Sequence, residues 1–518
     1  MKGRLLSISS VAVLNFFGMV AGFFVNSFLA YSFGAGFETD AYLIASMVPT
    51  FFVYMMGFDS LKGLARTLFI DVSKNRKEGL SAAFCNLFNA TLVAGVLISV
   101  IAFFLTPLIV KLLAPGSSDE THILATSLCK IMIPSIFLIA LANLSSSILN
   151  MWNQFFLPSF GIFFQKVIII FSIVAFCSII GIYSAAIGML VGAIFSLLII
   201  MLPIFLSDKI IYSFKLDMSS AILKDFVKLF SPLIFLMLIM QVNSAVIQFL
   251  GSFYEQGTIT KLNYAKSVAS LIIPVIVTPV LSVYLNDFCT HVSEKDTAGL
   301  VQRYRFVYRV LLLFLGFVIL LQFSFPKNII SILFQRGAFT ANDVNATSLY
   351  YIIFLIGVPF QAYGLLANYL LLAAKRTDLI LKVGIYTVCA NLAFSTLLAC
   401  AYGPVGIVIG ASAAWFVHAL VFHMQAKNIV QIPLLENCFK WTFKIFFLLL
   451  LILVGMLFIW HPVQFSNFDA NWNNILNISL GGIVAMTFFV IFLIIFKVEE
   501  GLQAIKTTRR YLSGRYNC

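Results

Sequence analysis

Charged residues are scarce in this sequence. Only 10% of its 518 residues are Asp, Glu, Lys or Arg, whereas a soluble protein carries about a quarter. Hydrophobic residues make up 61% of the chain, and the mean hydropathy is +1.03. Apolar runs of spanning length recur from end to end and are too continuous for alternating barrel strands. The sequence therefore predicts an all-α polytopic membrane protein.

Motifs for covalent chemistry are also missing. The phosphate-binding pattern G-x-x-x-x-G-K-[ST] does not occur, which argues against ATP hydrolysis by this chain. No CxxC pair occurs among the eight cysteines, and the five histidines are scattered. We therefore expect a transporter, with no enzyme activity, no metal site and no cofactor. The formal charge of +13 favours basic cytoplasmic loops over nucleic-acid binding.

Fourteen apolar runs are long enough to cross a bilayer as helices. They cover residues 9–33, 41–60, 83–113, 123–148, 157–180, 183–206, 224–250, 265–288, 308–334, 347–373, 380–401, 405–426, 440–460 and 475–497. Lys and Arg concentrate in every second connecting segment, which predicts that both termini are cytoplasmic. The first run is longer than the apolar region of a signal peptide, so we expect it to remain as a helix.

Two short patterns recur in matching runs of the two halves. The pattern Pro-x6-Leu-Ala-Asn occurs at 134–143 in the fourth run and at 359–368 in the tenth. The triplet Val-Asn-Ser occurs at 25–27 in the first run and at 242–244 in the seventh. Because six helices return the chain to the same side, we predict two parallel six-helix lobes with the substrate between them. The predicted divisions are 1–208, 209–427, and 428–518 for two appended helices and a cytoplasmic tail.

Ionisable side chains near the ends of runs are candidates for substrate binding. Asp59, Lys62 and Arg66 share one helical face at the end of the second run. In one interpretation Asp59 pairs with Lys62 within the helix, and Lys62 and Arg66 extend to the cytoplasmic headgroups. In the other, the three side chains line a cavity and the two cations bind phosphate. Lys266 begins the eighth run and is either an interfacial anchor beside Tyr264 or a second phosphate-binding cation.

Asn26 lies inside the first apolar run, and Asn243 lies inside the seventh. Amides at such positions either hydrogen-bond to a neighbouring helix or face a hydrated cavity, and we include both among the cavity candidates. The polar hairpin at 33–42 joins the first two runs, and Gly34 and Gly36 permit its turn. Asp40 is placed to cap the second helix and to meet the positive end of its dipole. We also include Asp40 among the candidates to line the substrate cavity.

Four segments together resemble a known family. They read FGAGFETDAY at 33–42, LNMWNQF at 149–155, NYAK at 263–266 and LFQRGAFT at 333–340. These segments are similar to those of the MurJ (MviN) lipid II flippases of the multidrug/oligosaccharidyl-lipid/polysaccharide exporter superfamily. The resemblance implies fourteen helices, a cavity between the lobes, and a groove for the lipid tail at the last two helices. It also implies an undecaprenyl-diphosphate-linked sugar as substrate.

The sequence departs from that family at its cavity arginines. The aligned positions carry Val25, Tyr31, Val53 and Ser267 instead. Asp40 matches an acidic residue of the family, and Lys62 and Lys266 are the candidates to replace the lost positive charge. Some family members bind sodium at a site that corresponds here to Asn391 and Ser395. The coupling candidates are therefore a sodium ion, a proton or the membrane potential.

Three functions fit these features. The first is a flippase that moves lipid II, or another lipid-linked oligosaccharide, across the bacterial cytoplasmic membrane by alternating access. The second is a cation-coupled exporter of small amphipathic compounds, although no carboxylate occurs between Leu5 and Gly36 in the first run to support it. The third is a membrane scaffold that does not transport. For the first we expect a lipid-linked substrate, surrounding membrane lipid and no nucleic acid as partners, and a functional monomer.

The predicted topology can be tested with reporter fusions. Fusions of an enzyme that is active only outside the cytoplasm, placed after Asp469 and after Arg510, should report opposite sides of the membrane, because one predicted helix separates them. A fluorescent protein that matures only in the cytoplasm provides the inverse signal. Two fusions on the same side would contradict the count of fourteen.

Overall fold

The computed structural model describes residues 2–55, 58–75, 79–214, 216–430, 438–459 and 470–495. Helices contain most of these residues, and no β-strand occurs among them. The α-helices are α1 (Lys2–Phe33), α2 (Phe37–Met55), α3 (Phe58–Asn75), α4 (Leu80–Leu113), α5 (Asp119–Met132), α6 (Ser135–Met151), α7 (Phe156–Ile180), α8 (Tyr183–Phe205), α9 (Ala221–Gly251), α10 (Thr258–Ser270), α11 (Thr278–Ser293), α12 (Thr297–Ser324), α13 (Pro326–Phe334), α14 (Ala341–Ala373), α15 (Thr377–Tyr402), α16 (Pro404–Val430), α17 (Cys438–Ile459) and α18 (Ala470–Ile495).

The helices confirm the predicted fold class. Each of the fourteen predicted runs coincides with one helix or with two helices in succession. Within the described ranges, 11 helical segments are long and apolar enough to cross a membrane by length and composition. The fourth run divides into α5 and α6, and the eighth into α10 and α11 around a π-helical turn at Ile273–Val277. Such turns and breaks occur where a proline removes a backbone donor, as Pro134 and Pro274 do here.

The segment between the second and third runs contains a further helix, which the fourteen apolar runs did not include. Residues 58–75 form α3. Ala65, Leu68, Phe69 and Val72 are all buried on it, and their spacing of three, four and seven residues places them on one face. Apolar residues at this period stabilise a helix even where charged residues lie between them, which is why hydropathy alone missed α3.

Contacts divide the chain into two compact units. The first comprises Met1–Asn263 with Arg336–Thr340, and the second comprises Tyr264–Gln335 with Ala341–Cys518. The divisions predicted from sequence, at 208 and 427, stay predictions. In the first unit, one buried cluster joins α1, α2, α5, α7 and α8, and another joins α3, α4, α6 and α8. Leu29 and Ile44 belong to the former, and Phe69 and Phe84 to the latter.

The second unit contains two closely packed groups of helices. α12, α17 and α18 share a core in which the rings of Phe317 and Phe489 lie 4.5 Å apart. α15 and α16 approach so closely that a Cβ on Gly410 would lie 2.3 Å from the backbone nitrogen of Ser395. Small residues permit this approach between helices in a membrane, where packing rather than water exclusion drives association.

Candidate functional site

The hairpin at 33–42 is the centre of a junction in the first unit. Gly34 has a φ of +66°, and a side chain there would collide with the carbonyl of Ala338. The Ala338 amide donates to the carbonyl of Tyr31 at 3.0 Å. Thr39 Oγ1 donates to the Gly34 carbonyl at 2.9 Å and closes the turn from within. The segment 336–340, far away in sequence, is thereby fixed against the end of α1.

Asp40 links the same hairpin to the beginning of α10. Its side chain is buried and accepts from the amide of Gly257 at 2.6 Å and from the amide of Thr260 at 2.8 Å. The Thr260 hydroxyl donates to it at 2.6 Å. The first amides of a helix have no partner within that helix, and the positive end of its dipole attracts an anion. We call this set, Asp40 with Gly257 and Thr260, the latch.

The latch changes the predicted role of Asp40. The residue lies in the first turn of α2, as expected, but its carboxylate caps α10 rather than its own helix. Gly257 has a φ of +86°, and a Cβ there would lie 2.2 Å from the carbonyl oxygen of Ala35. The hairpin and the 255–260 turn therefore approach each other at backbone distance, which only glycine allows.

The candidate cations of the second run and α3 lie in different surroundings. Arg66 is half-buried, with its guanidinium carbon 5.5 Å from the centre of the Phe155 ring. Arg66 Nε is buried and has no hydrogen-bond partner among the described residues. Asp59 and Lys62 lie on α3, but their side chains are outside the described part of the structure, so the predicted cluster stays a prediction.

Lys266 lies on α10, in the second unit, and is half-buried. Within the described part of the chain, no hydrogen bond or ion pair engages its amine. The neighbouring Tyr264 is fully buried and stacks on Phe334 at 4.7 Å. An interfacial tyrosine keeps its hydroxyl near the headgroups, so burial of Tyr264 counts against the interpretation of this segment as an interfacial anchor.

The remaining predicted residues occupy polar positions inside the helices. Asn26 and Asn243 are half-buried on α1 and α9, and their role in a cavity stays a prediction. Asn391 and Ser395 are brought together, with Ser395 Oγ donating to Asn391 Oδ1 at 2.9 Å and lying 3.1 Å from the Ile407 carbonyl. Neither residue carries a charge, and no cluster of His, Cys, Asp or Glu suited to a metal occurs in the described ranges. The cation site therefore also stays a prediction.

The second unit contains an apolar groove whose lining residues were not predicted from the sequence. It has a volume of about 700 Å³ and is formed by α12, α14, α16 and α17. Aliphatic and aromatic side chains form most of its wall, including Leu320, Phe360 and Leu420. Two polar pairs interrupt that wall: Tyr308 with Thr442, and Tyr363 with His423. No periodic sequence pattern predicts these pairs, because the four residues come from four different helices.

Comparison with known proteins agrees with these features. The family model described as lipid II flippase MurJ matches residues 29–503. A probable lipid II flippase MurJ of Buchnera aphidicola subsp. Baizongia pistaciae is 25% identical over 473 residues, which are 88% of this chain and 89% of that protein. The lipid II flippase MurJ of Thermosipho africanus is 35% identical over 184 residues, 35% of this chain and 38% of that protein.

Solved structures show the same fold. A lipid II flippase MurJ in an inward closed conformation matches with a TM-score of 0.77 and 26% identity, covering 93% of this chain and 98% of that one. An inward-facing multidrug resistance MATE family transporter of the MOP superfamily matches with a TM-score of 0.68 and 16% identity, covering 79% and 94%. At that lower identity the likeness concerns the fold alone.

The latch predicts a measurable loss of stability. Asp40→Asn replaces one carboxylate oxygen by an NH₂ group that faces a backbone donor, and a charged hydrogen bond contributes about 1.5–3 kcal/mol. We expect the thermal unfolding midpoint of the purified protein, followed by tryptophan fluorescence, to fall. Asp119→Asn is the matched control, since Asp119 is exposed in the first turn of α5. Equal midpoints for Asp40→Asn and wild type would show that the latch contributes nothing.

Proposed function

Because the chain belongs to the MurJ family of lipid II flippases, we propose that it moves an undecaprenyl-diphosphate-linked sugar across the bacterial cytoplasmic membrane. The observation that carries the proposal is the family match over residues 29–503, which spans nearly all the described helices. The activity of such a protein is transport, with no bond made or broken in the substrate. Lipid II is the first candidate substrate, since the family's description names it.

The mechanism that we propose is alternating access. In such a cycle one end of a transporter is closed while the other admits the substrate, and the two ends exchange roles. The latch, supported by the contact of Ala338 with Tyr31, is suited to close one end because it joins distant segments through a few hydrogen bonds. A sodium ion, a proton or the membrane potential would drive the exchange.

The diphosphate requires positive charge in place of the water that it loses. Removing water from a concentrated anion is costly unless cationic donors replace it. Arg66 carries a buried donor without a described partner, and Lys266 has an amine that no described group engages. These two residues, with Lys62, are our candidates to bind the diphosphate in place of the arginines absent at Val25, Tyr31, Val53 and Ser267.

The groove suits the hydrocarbon tail of the same substrate. Its wall is apolar along most of its length, and its volume of about 700 Å³ lies within the range of ligand sites in proteins. A polyprenyl chain has no polar atoms to satisfy, so an apolar groove open toward lipid can hold it while the head group crosses. This assignment rests on the groove's chemistry and on the family resemblance.

Complementation tests the proposed function. The gene should restore growth to a bacterium whose own lipid II flippase is depleted, and lipid II should become accessible on the outer face of the membrane. Accumulation of lipid II inside, with the protein present in the membrane, would contradict lipid II as substrate. Efflux of amphipathic dyes without lipid II translocation would support the exporter, and neither activity would support the scaffold.

The cation candidates are tested in the same assay. We expect Lys266→Ala, and separately Lys62→Ala combined with Arg66→Ala, to reduce translocation about tenfold or more, because each lost charged contact costs about 1.5–3 kcal/mol. Lys327→Ala is the control, since Lys327 is exposed on α13. If both variants translocate as wild type does, the diphosphate is bound elsewhere.

The groove is tested by narrowing it. Leu420 lines the groove and is 42% exposed, so Leu420→Trp should fill part of its volume without overpacking a closed core. We expect slower translocation at normal membrane abundance. Leu397→Trp introduces the same side chain at a 68% exposed position on α15 that does not line the groove. Equal rates for the two variants would exclude the groove from the transport path.

A further inference from the structure

The chain between α8 and α9, described at residues 207–214 and 216–220, lies along the beginning of α4, and we call it the strap. Its backbone follows side chains of α4. The Ser81 hydroxyl donates to the Lys209 carbonyl at 3.2 Å, and Asn89 Nδ2 donates to the Ser213 carbonyl at 3.1 Å. Asn86 exchanges two hydrogen bonds with the backbone of Asp217, at 3.0 and 2.8 Å. The strap thus approaches the middle of α4 as far as Asn89 and then turns back.

The exposed surface of α4 indicates how deep in the membrane the strap lies. Exposed apolar side chains on this helix begin at Val93 and continue to Leu112. Twenty residues of helix span about 30 Å, which is the thickness of the hydrocarbon core. α4 contains 34 residues, about 51 Å of helix, and so extends well beyond a core of that thickness. We therefore place the segment from Ser81 to Asn89, which precedes the exposed stretch, in the headgroup layer. The strap, bonded to that segment, lies in the same layer.

The outward side of the strap is apolar. Ile211 is 77% exposed, and Phe214 and Met218 are each 70% exposed. The inward side is different, since Ile210 is 3% exposed and belongs to the core against α4. Tyr212 is 39% exposed, but its ring packs edge-on against Phe88 at 6.0 Å and its hydroxyl donates to Asn89. A segment whose polar backbone is bonded to a helix and whose large apolar side chains point away has the two-sided character of an interfacial anchor.

Basic side chains flank the apolar ones. Lys209 is exposed, with its amine 5.2 Å from the centre of the Trp152 ring, and Lys224 and Lys228 are exposed at the start of α9. The apolar surface also continues from the lipid-facing side of α8, where Leu202 and Leu206 are 61% and 76% exposed. This continuity favours lipid over a protein as the occupant. The lysines can contact anionic headgroups, with Asp208 beside Lys209 and Asp225 beside Lys224 reducing the local excess of positive charge.

We propose that the strap is a membrane-interface anchor that inserts Ile211, Phe214 and Met218 into a leaflet containing anionic phospholipid. Phe214 is inserted deepest, because its neighbour Ser213 bonds to Asn89, about 6 Å along the helix from Val93. Lys209 bonds to Ser81, about 18 Å from the same point, and lies nearest the water. The anchor is independent of which lipid the protein transports.

The test uses the full chain in lipid nanodiscs. A benzophenone amino acid is placed at 214, at 211, at 218, or at 210 as the inward-facing control, since Ile210 is 3% exposed, and the products of irradiation are measured by intact mass. Position 214 should gain the mass of one phospholipid with the highest yield, and position 210 should cross-link only within the protein. A thermal midpoint equal to wild type confirms that each variant is folded. Lipid adducts at 210 equal to those at 214, or none at 214, would overturn the proposal, as would cross-linking of 214 to another protein in native membranes.

A second part of the experiment tests whether the strap prefers anionic phospholipid. The yield at 214 should fall when phosphatidylglycerol is omitted from the nanodiscs. Combined substitution of Lys209, Lys224 and Lys228 by Gln should weaken retention of phosphatidylglycerol roughly fivefold for each lysine removed. Lys327→Gln is the matched control. Unchanged retention in the triple variant would overturn the role of the lysines.

Discussion

The buried carboxylate of Asp40 at the beginning of α10 is the interaction on which the candidate site depends. A helix that begins inside a protein needs acceptors for its first amides, and a buried carboxylate needs donors. Each supplies what the other lacks, so removing either partner leaves an unsatisfied polar group. The close backbone approach of Gly257 to Ala35 follows from this bond, because the hairpin must come near enough for Asp40 to reach the helix.

The sequence was sufficient for the fold class and for most helices, because apolar runs of spanning length have few other interpretations. It was not sufficient for α3, where the signal is the spacing of Ala65, Leu68, Phe69 and Val72 rather than mean hydropathy. The latch could not be predicted from the sequence, for a different reason. Asp40 and Thr260 are 220 residues apart, and nothing local distinguishes a carboxylate that caps its own helix from one that caps another. The groove's polar pairs were unpredictable on the same grounds.

The proposed diphosphate contacts would differ from those of the arginines that the family resemblance implies. Arginine presents several donors in a fixed plane, whereas lysine is a compact charge on a flexible stem. In its proposed role, Lys266 would follow a moving phosphate more easily than it would fix one in orientation. Arg66 is held beside Phe155 by its ring contact and has the more defined geometry of the two.

The π-helical turn at Ile273–Val277 has a consequence for the helix that carries Lys266. A π turn contains one residue more than an α turn, so the residues that follow it are rotated by about 100° relative to an uninterrupted helix. The face that presents Lys266 and the face that buries Leu281 and Phe288 are thus set independently of each other. If the turn relaxed to α geometry, the two halves would rotate against each other without any change in their own hydrogen bonds. The extra residue therefore allows the two halves of this helix to rotate relative to each other about the helix axis.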